Sequence, residues 1–361
     1  MRIVVNDIAA SSGGALTVLE SFYRYVRDSG GDHEWIFLLG SDLLEESDTI
    51  RTIILPGVKR SWLKRLAFDL VSGRRLIESL KPDVVLSLQN TCTYGVGCPQ
   101  VVYVHQSLPF QRSRNFSVLR RNERTLATYQ HIIGAVIKQS IRRADRIIVQ
   151  AEWMRAAIIA QIGIDSHRVY SIPPDIDDLS AYASAGRLNA GSFSYPTSDH
   201  SYKNNECIYA ACKLLREKHM YDFEVTMTID GPPPDPNVRP IGRVPREQVL
   251  DLLSRTTLIF PSLIESSGLP PAEARALGTL VLAADLPHAR EVLDRYPNAY
   301  YFDPSSPSQL AALMTQVISG TIVKVPTTDH SWASNRPTRT AAWARVVRVL
   351  EDRVAKEQAG Q

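Results

Sequence analysis

Residues 260–278 read FPSLIESSGLPPAEARALG. The segment follows the apolar run TLIF at 257–260, which has the character of a buried strand. Glu265 then emerges just beyond the strand's carboxyl end. Ser266-Ser267-Gly268 supplies small residues whose backbone N–H groups can face an anion, and Leu269-Pro270-Pro271 stiffens the turn. Proline suits the first turn of a helix, where its missing N–H costs nothing, so PPAEARALG is expected to be helical with Glu273 on its first turn. Two carboxylates eight residues apart therefore flank a small backbone nest at a strand-to-helix junction. Open parallel sheets bind their ligands at such junctions.

Outward from this stretch, the same alternation continues in both directions. SFSYPTS, FEVTMTIDG, TLIFPS and TLVLAA are strand-like. NNECIYAACKLLREKH, PREQVLDLLSRT and LPHAREVLDRY are helical in pattern. The N-terminal half repeats the rhythm. The strands MRIVVND, EWIFLLG, TIILPG, DVVLSLQ, QVVYVHQ, DRIIVQA and HRVYSIPP are separated by helical or turn segments. Strands alternating with helices at this pace define an α/β chain with doubly wound parallel sheets. At 361 residues there is room for two such domains facing across a cleft. Pro173-Pro174 and the polar stretch DIDDLSAYASAGRLNAG mark the boundary, with Asp175, Asp177 and Asp178 expected to solvate the linker. We place a first domain at 1–175, a second at 176–335, and a terminal helical segment at 336–361. The halves show no sequence repeat.

Composition narrows the function classes. No run approaches the ~20 apolar residues of a membrane-spanning helix, and the N-terminus lacks the longer apolar core of a signal peptide, so a cytoplasmic location is expected. The cysteines at 92, 98, 207 and 212 lack the spacing of a zinc or redox site, and no acidic metal cluster is evident. The net charge of +3 hides an asymmetry. Residues 59–146 carry 16 Lys and Arg against five Asp and Glu, while the rest of the chain is acidic. Within that region KRSWLKRLAFDL mixes basic residues with Trp62, Leu63, Leu66, Phe68 and Leu70 at helical spacing, a pattern suited to an anionic membrane surface and equally to a solvated basic face. No motif with aromatics arranged to stack bases accompanies it, so nucleic acid is not an expected partner.

Two further loops fall at strand ends. Gly13-Gly14 opens a helix after MRIVVND, where a phosphate or sugar could approach the amides and the positive helix end. It is neither GxGxxG nor a P-loop. His105 follows QVVYV and could donate to a sugar hydroxyl or be a structural residue. Carboxylates take hydrogen bonds from vicinal diols and the amides between them take phosphate, a combination that suits a nucleotide sugar.

The run FPSLIESSGLPPAEARALGTLVLAADLPHAREVL resembles the signature of the family 4 glycosyltransferases of GT-B fold, with their E-x7-E pattern on Glu265 and Glu273. The resemblance extends over nearly the whole chain, through Gly13-Gly14, HQSLPF, ADRIIVQAEWM, SYPTSDHSYKN, Ile229-Asp230-Gly231 and IGRVPREQVLDLLSRT. It implies two Rossmann-like domains and a C-terminal helix crossing back onto the first. It also implies retaining transfer from a nucleoside diphosphate sugar without a metal or other cofactor, to a lipid-linked oligosaccharide acceptor in bacterial surface-polysaccharide synthesis. By the same resemblance Glu273 binds the ribose, Glu265 a hydroxyl of the donor sugar, and Lys203 the diphosphate together with the Ser267, Gly268 and Leu269 amides. His105 approaches the donor sugar, and the base lies near Arg243 and Val244. An epimerase or phosphorylase of the same architecture, or a member that binds nucleotide or a partner without transfer, are the alternatives. The chain departs from the family at Ser194-Tyr195-Pro196, where Gly-Arg is usual, which leaves Arg243, His200 or the amides to compensate for one cation. It departs again at Ser266-Ser267-Gly268, where Gly-Phe-Gly is commoner.

Overall fold

A computed structural model describes residues 1–11, 13–121, 123–176, 179–182, 190–326 and 341–359. Seven strands form the first sheet: β1 (Arg2–Asp7), β2 (Glu34–Leu39), β3 (Ile50–Ile54), β4 (Val84–Ser87), β5 (Gln100–Val104), β6 (Arg146–Val149) and β7 (Val169–Ser171). All pair in parallel, in the order β3-β2-β1-β4-β5-β6-β7. The second sheet holds β8 (Ser192–Tyr195), β9 (Glu224–Met227), β10 (Val238–Pro240), β11 (Thr257–Phe260), β12 (Val281–Ala284) and β13 (Ala299–Phe302). Its order, β10-β9-β8-β11-β12-β13, repeats the first with one strand fewer. Two sequences with no visible repeat thus adopt one topology. Strands buried on both faces need only apolar side chains, and many sequences satisfy that.

Each sheet reverses its order once, between β1 and β4 and between β8 and β11. Ligand crevices in open α/β sheets form at the carboxyl ends of such strand pairs. β10 was not evident in the sequence. It is a three-residue edge strand, Val-Arg-Pro, whose proline is tolerated because an edge strand has one side unpaired.

Separate cores back the sheets. The second packs Phe193, Tyr195, Phe260 and Phe302 with the helices Asn205–Glu217 and Pro307–Ile318. On one face of the first sheet, Ile3, Val5, Phe37, Leu86 and Tyr103 pack against the helix Gly13–Ser29 and against the C-terminal helix Ala341–Ala359. That last helix follows the second sheet in sequence yet seals the first, as the family resemblance implied. Trp343 lies 4.9 Å from Phe22 between ring centroids and donates its indole N–H to Ser21 at 2.9 Å. Ile172 packs in the first core and Ile176 against the second. Residues 177–178, 183–189 and the division placed at 335/336 lie outside the described residues. Asp175 does not simply solvate the linker: its carboxylate accepts the Ala342 N–H at 3.1 Å, at the positive start of the terminal helix.

The two halves touch through specific contacts. Glu291 accepts the backbone N–H groups of Glu152 and Trp153 at 2.7 Å each, so a carboxylate of the second half caps the helix Glu152–Ile162 of the first. Trp153 Nε1 donates to the Ser266 carbonyl at 3.0 Å. Leu108, Phe116 and Ala127 pack with Leu263, Ile264 and Tyr202 in a small apolar cluster bridging both sides. These contacts hold the cleft walls in register.

Candidate active site

Between the two sheets lies a cleft of about 450 Å³. From the first half it is lined by Gly14 and Arg24 of the opening helix, by Tyr103 and His105, and by Gln150. From the second it is lined by Arg246 and the run Glu265–Pro270, with Trp343 and Val346 of the terminal helix closing one side. Apart from the terminal helix, the lining elements adjoin the carboxyl ends of strands, where a parallel sheet concentrates its polar loops.

The loop after β11 takes its shape from Gly268, whose φ of 60° lies in the left-handed region. It ends the loop and starts the helix Leu269–Ala276, whose first turn consists of Leu269, Pro270 and Pro271. Glu273 consequently sits on the second turn rather than the first. The prolines are themselves helical and push the carboxylate one turn further along. Among the described residues no acceptor engages the Ser267, Gly268 or Leu269 amides, the donors expected to form a nest between the two carboxylates.

Glu265 and Lys203 meet at 2.6 Å, both side chains about five-sixths buried, and Ser262 Oγ donates to the same Glu265 oxygen at 2.8 Å. Lys203 ends a short 3₁₀ turn in the loop after β8, so the strand pair at the second switch point supplies both partners. Burial disfavours the Lys203 ammonium. The fields of Glu265, Tyr195 and Tyr202, with the hydrogen bond to Glu265, outweigh that and hold it above its ordinary range. It is a fixed cation at any physiological pH, and the second Glu265 oxygen is left for a ligand.

Glu273 is buried and bonded to Arg246, Nη2 to Oε1 at 2.8 Å. Arg246 was not singled out from the sequence. It opens the helix Arg246–Arg255, where a cation opposes the helix dipole. A basic residue at a helix start implies a nearby carboxylate, and that was the available signal. Arg243 and Val244 stand in the loop just before it and do not line the cleft. His200 stacks on Tyr202 with centroids 5.4 Å apart, away from the lining.

His105 is buried and pushed down to about 4, so it is neutral near pH 7. Its tautomer follows from Asn90. Asn90 Oδ1 accepts the His105 and Gln106 backbone N–H groups at 2.8 and 2.9 Å, which directs Asn90 Nδ2 at His105 Nε2, 3.2 Å away. Nε2 therefore accepts, and the ring proton rests on Nδ1. Nδ1 is buried and has no partner among the described residues. Gly13 opens the first helix, and a Cβ on Gly14 would meet nothing within 4 Å, so that helix end approaches the cleft unobstructed. Among the described residues no three His, Cys, Asp or Glu side chains are grouped as metal ligands, and the four cysteines are free thiols.

The sequence matches the description "Glycosyltransferase Family 4" over residues 12–178 and "Glycosyl transferases group 1" over residues 234–336. The chain belongs to the family 4 glycosyltransferases. It is a glycosyltransferase of GT-B type. A Rickettsia africae glycosyltransferase is 14% identical, with a TM-score of 0.68 and 98% of each chain covered. Anabaena HepE, solved with UDP-glucose, is 15% identical with a TM-score of 0.67, covering 98% of this chain and 100% of that one. WaaG, a glycosyltransferase involved in lipopolysaccharide biosynthesis, is 13% identical with a TM-score of 0.62, covering 96% and 99%. No curated protein sequence matches the chain.

Proposed function

We propose that this glycosyltransferase moves a sugar from a nucleoside diphosphate donor to a saccharide acceptor with retention of anomeric configuration. The observation carrying the reading is the run Glu265–Pro270 with its open amides, facing the Gly14 helix end and His105 across the cleft, with Glu273 buried behind it on Arg246. Glu273 takes the ribose hydroxyls once Arg246 turns toward the diphosphate. Lys203, the Ser267–Leu269 amides and the Gly13-Gly14 helix end hold the phosphates, and the base extends past the cleft lining toward Arg243 and Val244, in the loop before Arg246. With this positive charge supplied by the chain, the reaction is expected to need no metal. His105 Nδ1–H and the second Glu265 oxygen orient the donor sugar. Glu265 does not act as nucleophile, because the ammonium 2.6 Å away stabilises its negative charge. The departing diphosphate helps deprotonate the acceptor.

The donor prediction is checked by thermal shift with UDP, GDP, ADP and dTDP. UDP is the first candidate, since HepE binds it and UDP-glucose. A nucleotide at ~100 times its dissociation constant stabilises by ~2.7 kcal/mol. One nucleotide is expected to shift the wild type, with the shift lost in Glu273→Ala. No shift with any of the four, or an undiminished shift in the variant, overturns the assignment.

The acceptor we infer to be lipid-linked, destined for a bacterial surface polysaccharide and met at the inner face of the cytoplasmic membrane. No described helix is long and apolar enough to cross a membrane. Among the described residues, seven of the ten large exposed apolar side chains nevertheless fall between residues 62 and 132, inside the basic region: Trp62, Leu63, Leu70, Val71, Val118, Leu119 and Ile132. Each basic residue near an anionic surface contributes ~1 kcal/mol, and salt screens it. Co-sedimentation with vesicles of phosphatidylglycerol and phosphatidylethanolamine is expected at low salt, falling as salt rises and on Leu63→Asp/Val71→Asp substitution. Recovery in the supernatant at every ionic strength would remove the membrane from the reading.

A further inference from the structure

The loop that carries Glu265 is tethered at two points, and one tether comes from the opposite half of the molecule. At its start the Ser262 carbonyl accepts the Nε2–H of His288 at 3.1 Å. Both residues are buried, and burial pushes His288 down to about 4. The ring is therefore neutral near pH 7, with its one proton on the nitrogen that faces this carbonyl. Further along, the Ser266 carbonyl accepts the indole N–H of Trp153 at 3.0 Å. Trp153 packs against the first half's core cluster, which contains Val149 and Ile158. It does not line the cleft, whereas Ser266, Ser267 and Gly268 do. The indole thus acts on the loop from outside the donor site.

The consequence of that bond follows from the peptide unit. A trans peptide is planar, so the carbonyl of one residue and the N–H of the next point in opposite directions. No cis bond occurs among the described residues. With the Ser266 carbonyl drawn onto Trp153, the Ser267 N–H is turned away from it. That N–H has no acceptor among the described residues and belongs to a residue of the cleft lining. Ser266-Ser267-Gly268 offers no side chain large enough to fix this direction by packing. The hydrogen bond from the other half supplies what the local sequence lacks.

Trp153 is placed in turn by the second half. The helix Glu152–Ile162 has no side-chain cap of its own, and Glu291 accepts the Glu152 and Trp153 backbone N–H groups at 2.7 Å each. Glu291 and His288 lie one turn apart on the short helix Pro287–Val292. This helix therefore holds Ser262 directly and Ser266 through Trp153. The second tether crosses the boundary between the halves twice, and it opens if they part.

We infer that Trp153 is a positioning residue for the donor, its indole fixing the Ser266–Ser267 peptide so that the amides meet the diphosphate only while the halves are docked. The inference rests on the nucleotide-sugar reading above. It adds that the first half controls donor affinity through a side chain outside the donor cleft, with Glu291 as the anchor.

Trp153→Phe keeps an aromatic ring and removes the N–H. UDP, GDP, ADP and dTDP are titrated into the full-length wild type and variant. The four matching nucleosides are followed at millimolar concentration by saturation-transfer NMR. The diphosphate that binds wild type is expected to bind the variant roughly tenfold more weakly, the scale of one hydrogen bond whose loss leaves a carbonyl unanswered. Its nucleoside should bind both proteins equally, because base and ribose do not depend on this peptide. The unliganded melting temperature should fall only slightly. Glu291→Gln offers one acceptor oxygen instead of two, and should weaken the diphosphate in the same direction by less. Equal losses for diphosphate and nucleoside would make Trp153 a general support of the fold and overturn the inference. An undiminished diphosphate affinity in Trp153→Phe would overturn it too, while leaving the donor reading intact. Failure of every diphosphate to bind wild type would instead sink the donor reading, and this inference with it.

Discussion

A chain ending at Val325 is expected to lose the folded state of its first half, although the deleted residues come last in the sequence. The helix Ala341–Ala359 buries Ala342, Trp343, Val346, Val347, Val349, Leu350 and Val354 in the core formed with β1, β2, β4 and β5. Full burial of an apolar side chain of this size contributes ~1.5–3 kcal/mol, so the six larger ones together supply ~10 kcal/mol. That matches the ~5–15 kcal/mol that stabilises a whole domain. The ion pair of Arg353 with Asp145 at 2.8 Å and the Ala342 N–H on Asp175 are lost as well. The core of the second sheet contains no residue of this helix and should keep its own melting transition. Calorimetry and near-ultraviolet circular dichroism of the truncated chain report the outcome. A soluble product retaining both transitions would show that the helix is an accessory. The single change Trp343→Ala is expected to cost ~3–5 kcal/mol, since it also strands Ser21 and opens the space beside Phe22 and Tyr103.

Lys203→Ala is expected to be the most damaging single change at the site, to stability and to activity together. It leaves the Glu265 carboxylate five-sixths buried beside Ser262 with its cation gone. Breaking a buried pair from one side costs ~3–5 kcal/mol, and the residual exposure places this one toward the lower end. Transfer should fall by ~10³-fold or more, because the same ammonium is the nearest fixed charge for a departing diphosphate. The sign with pH is definite. A raised lysine contributes stability that is fully present below its unfolded value of 10.5 and lost only as pH climbs through the folded value above it. The destabilisation should therefore be constant across the neutral range. Lys203→Met combined with Glu265→Gln removes both charges, and is expected to recover most of the stability and none of the transfer. If the double variant is no more stable than Lys203→Ala, the two groups are not energetically coupled. Retained transfer in Lys203→Ala would remove it from the chemistry.

Much of this molecule is legible in the sequence, for reasons that vary along the chain. Strands such as RIVVND, EWIFLL and TLIF stand out because a parallel strand covered on both faces must be apolar throughout. Helix ends stand out where Gly163 adopts a φ of 71° or Lys81-Pro82 stops a periodic run. Glu265 and Glu273 are readable because carboxylates at a strand-to-helix junction are out of place in a core. The three-residue β10 carries no such signal, since a single Val in an edge strand repeats nothing. Glu273 lies one turn later than expected because Pro270 and Pro271 fit equally well before a helix and inside its first turn.

Composition and pattern by themselves determined the fold class, most of the order of elements and the carboxylate pair, because apolar burial and local backbone chemistry act on neighbours in the chain, and the resemblance of residues 260–293 to a known signature added the family. Only the tertiary structure decided which charges meet. Glu265 finds Lys203 from 62 residues away, Glu273 finds Arg246, and Glu291 caps a helix in the opposite half. It alone decided that the Asp7 carboxyl, Gln89 and His105 line one cavity, and that the last helix completes the first core. Electrostatic and hydrogen-bond partnerships depend on distances of a few ångströms between segments remote in sequence. Those distances exist only once the sheets are formed and packed.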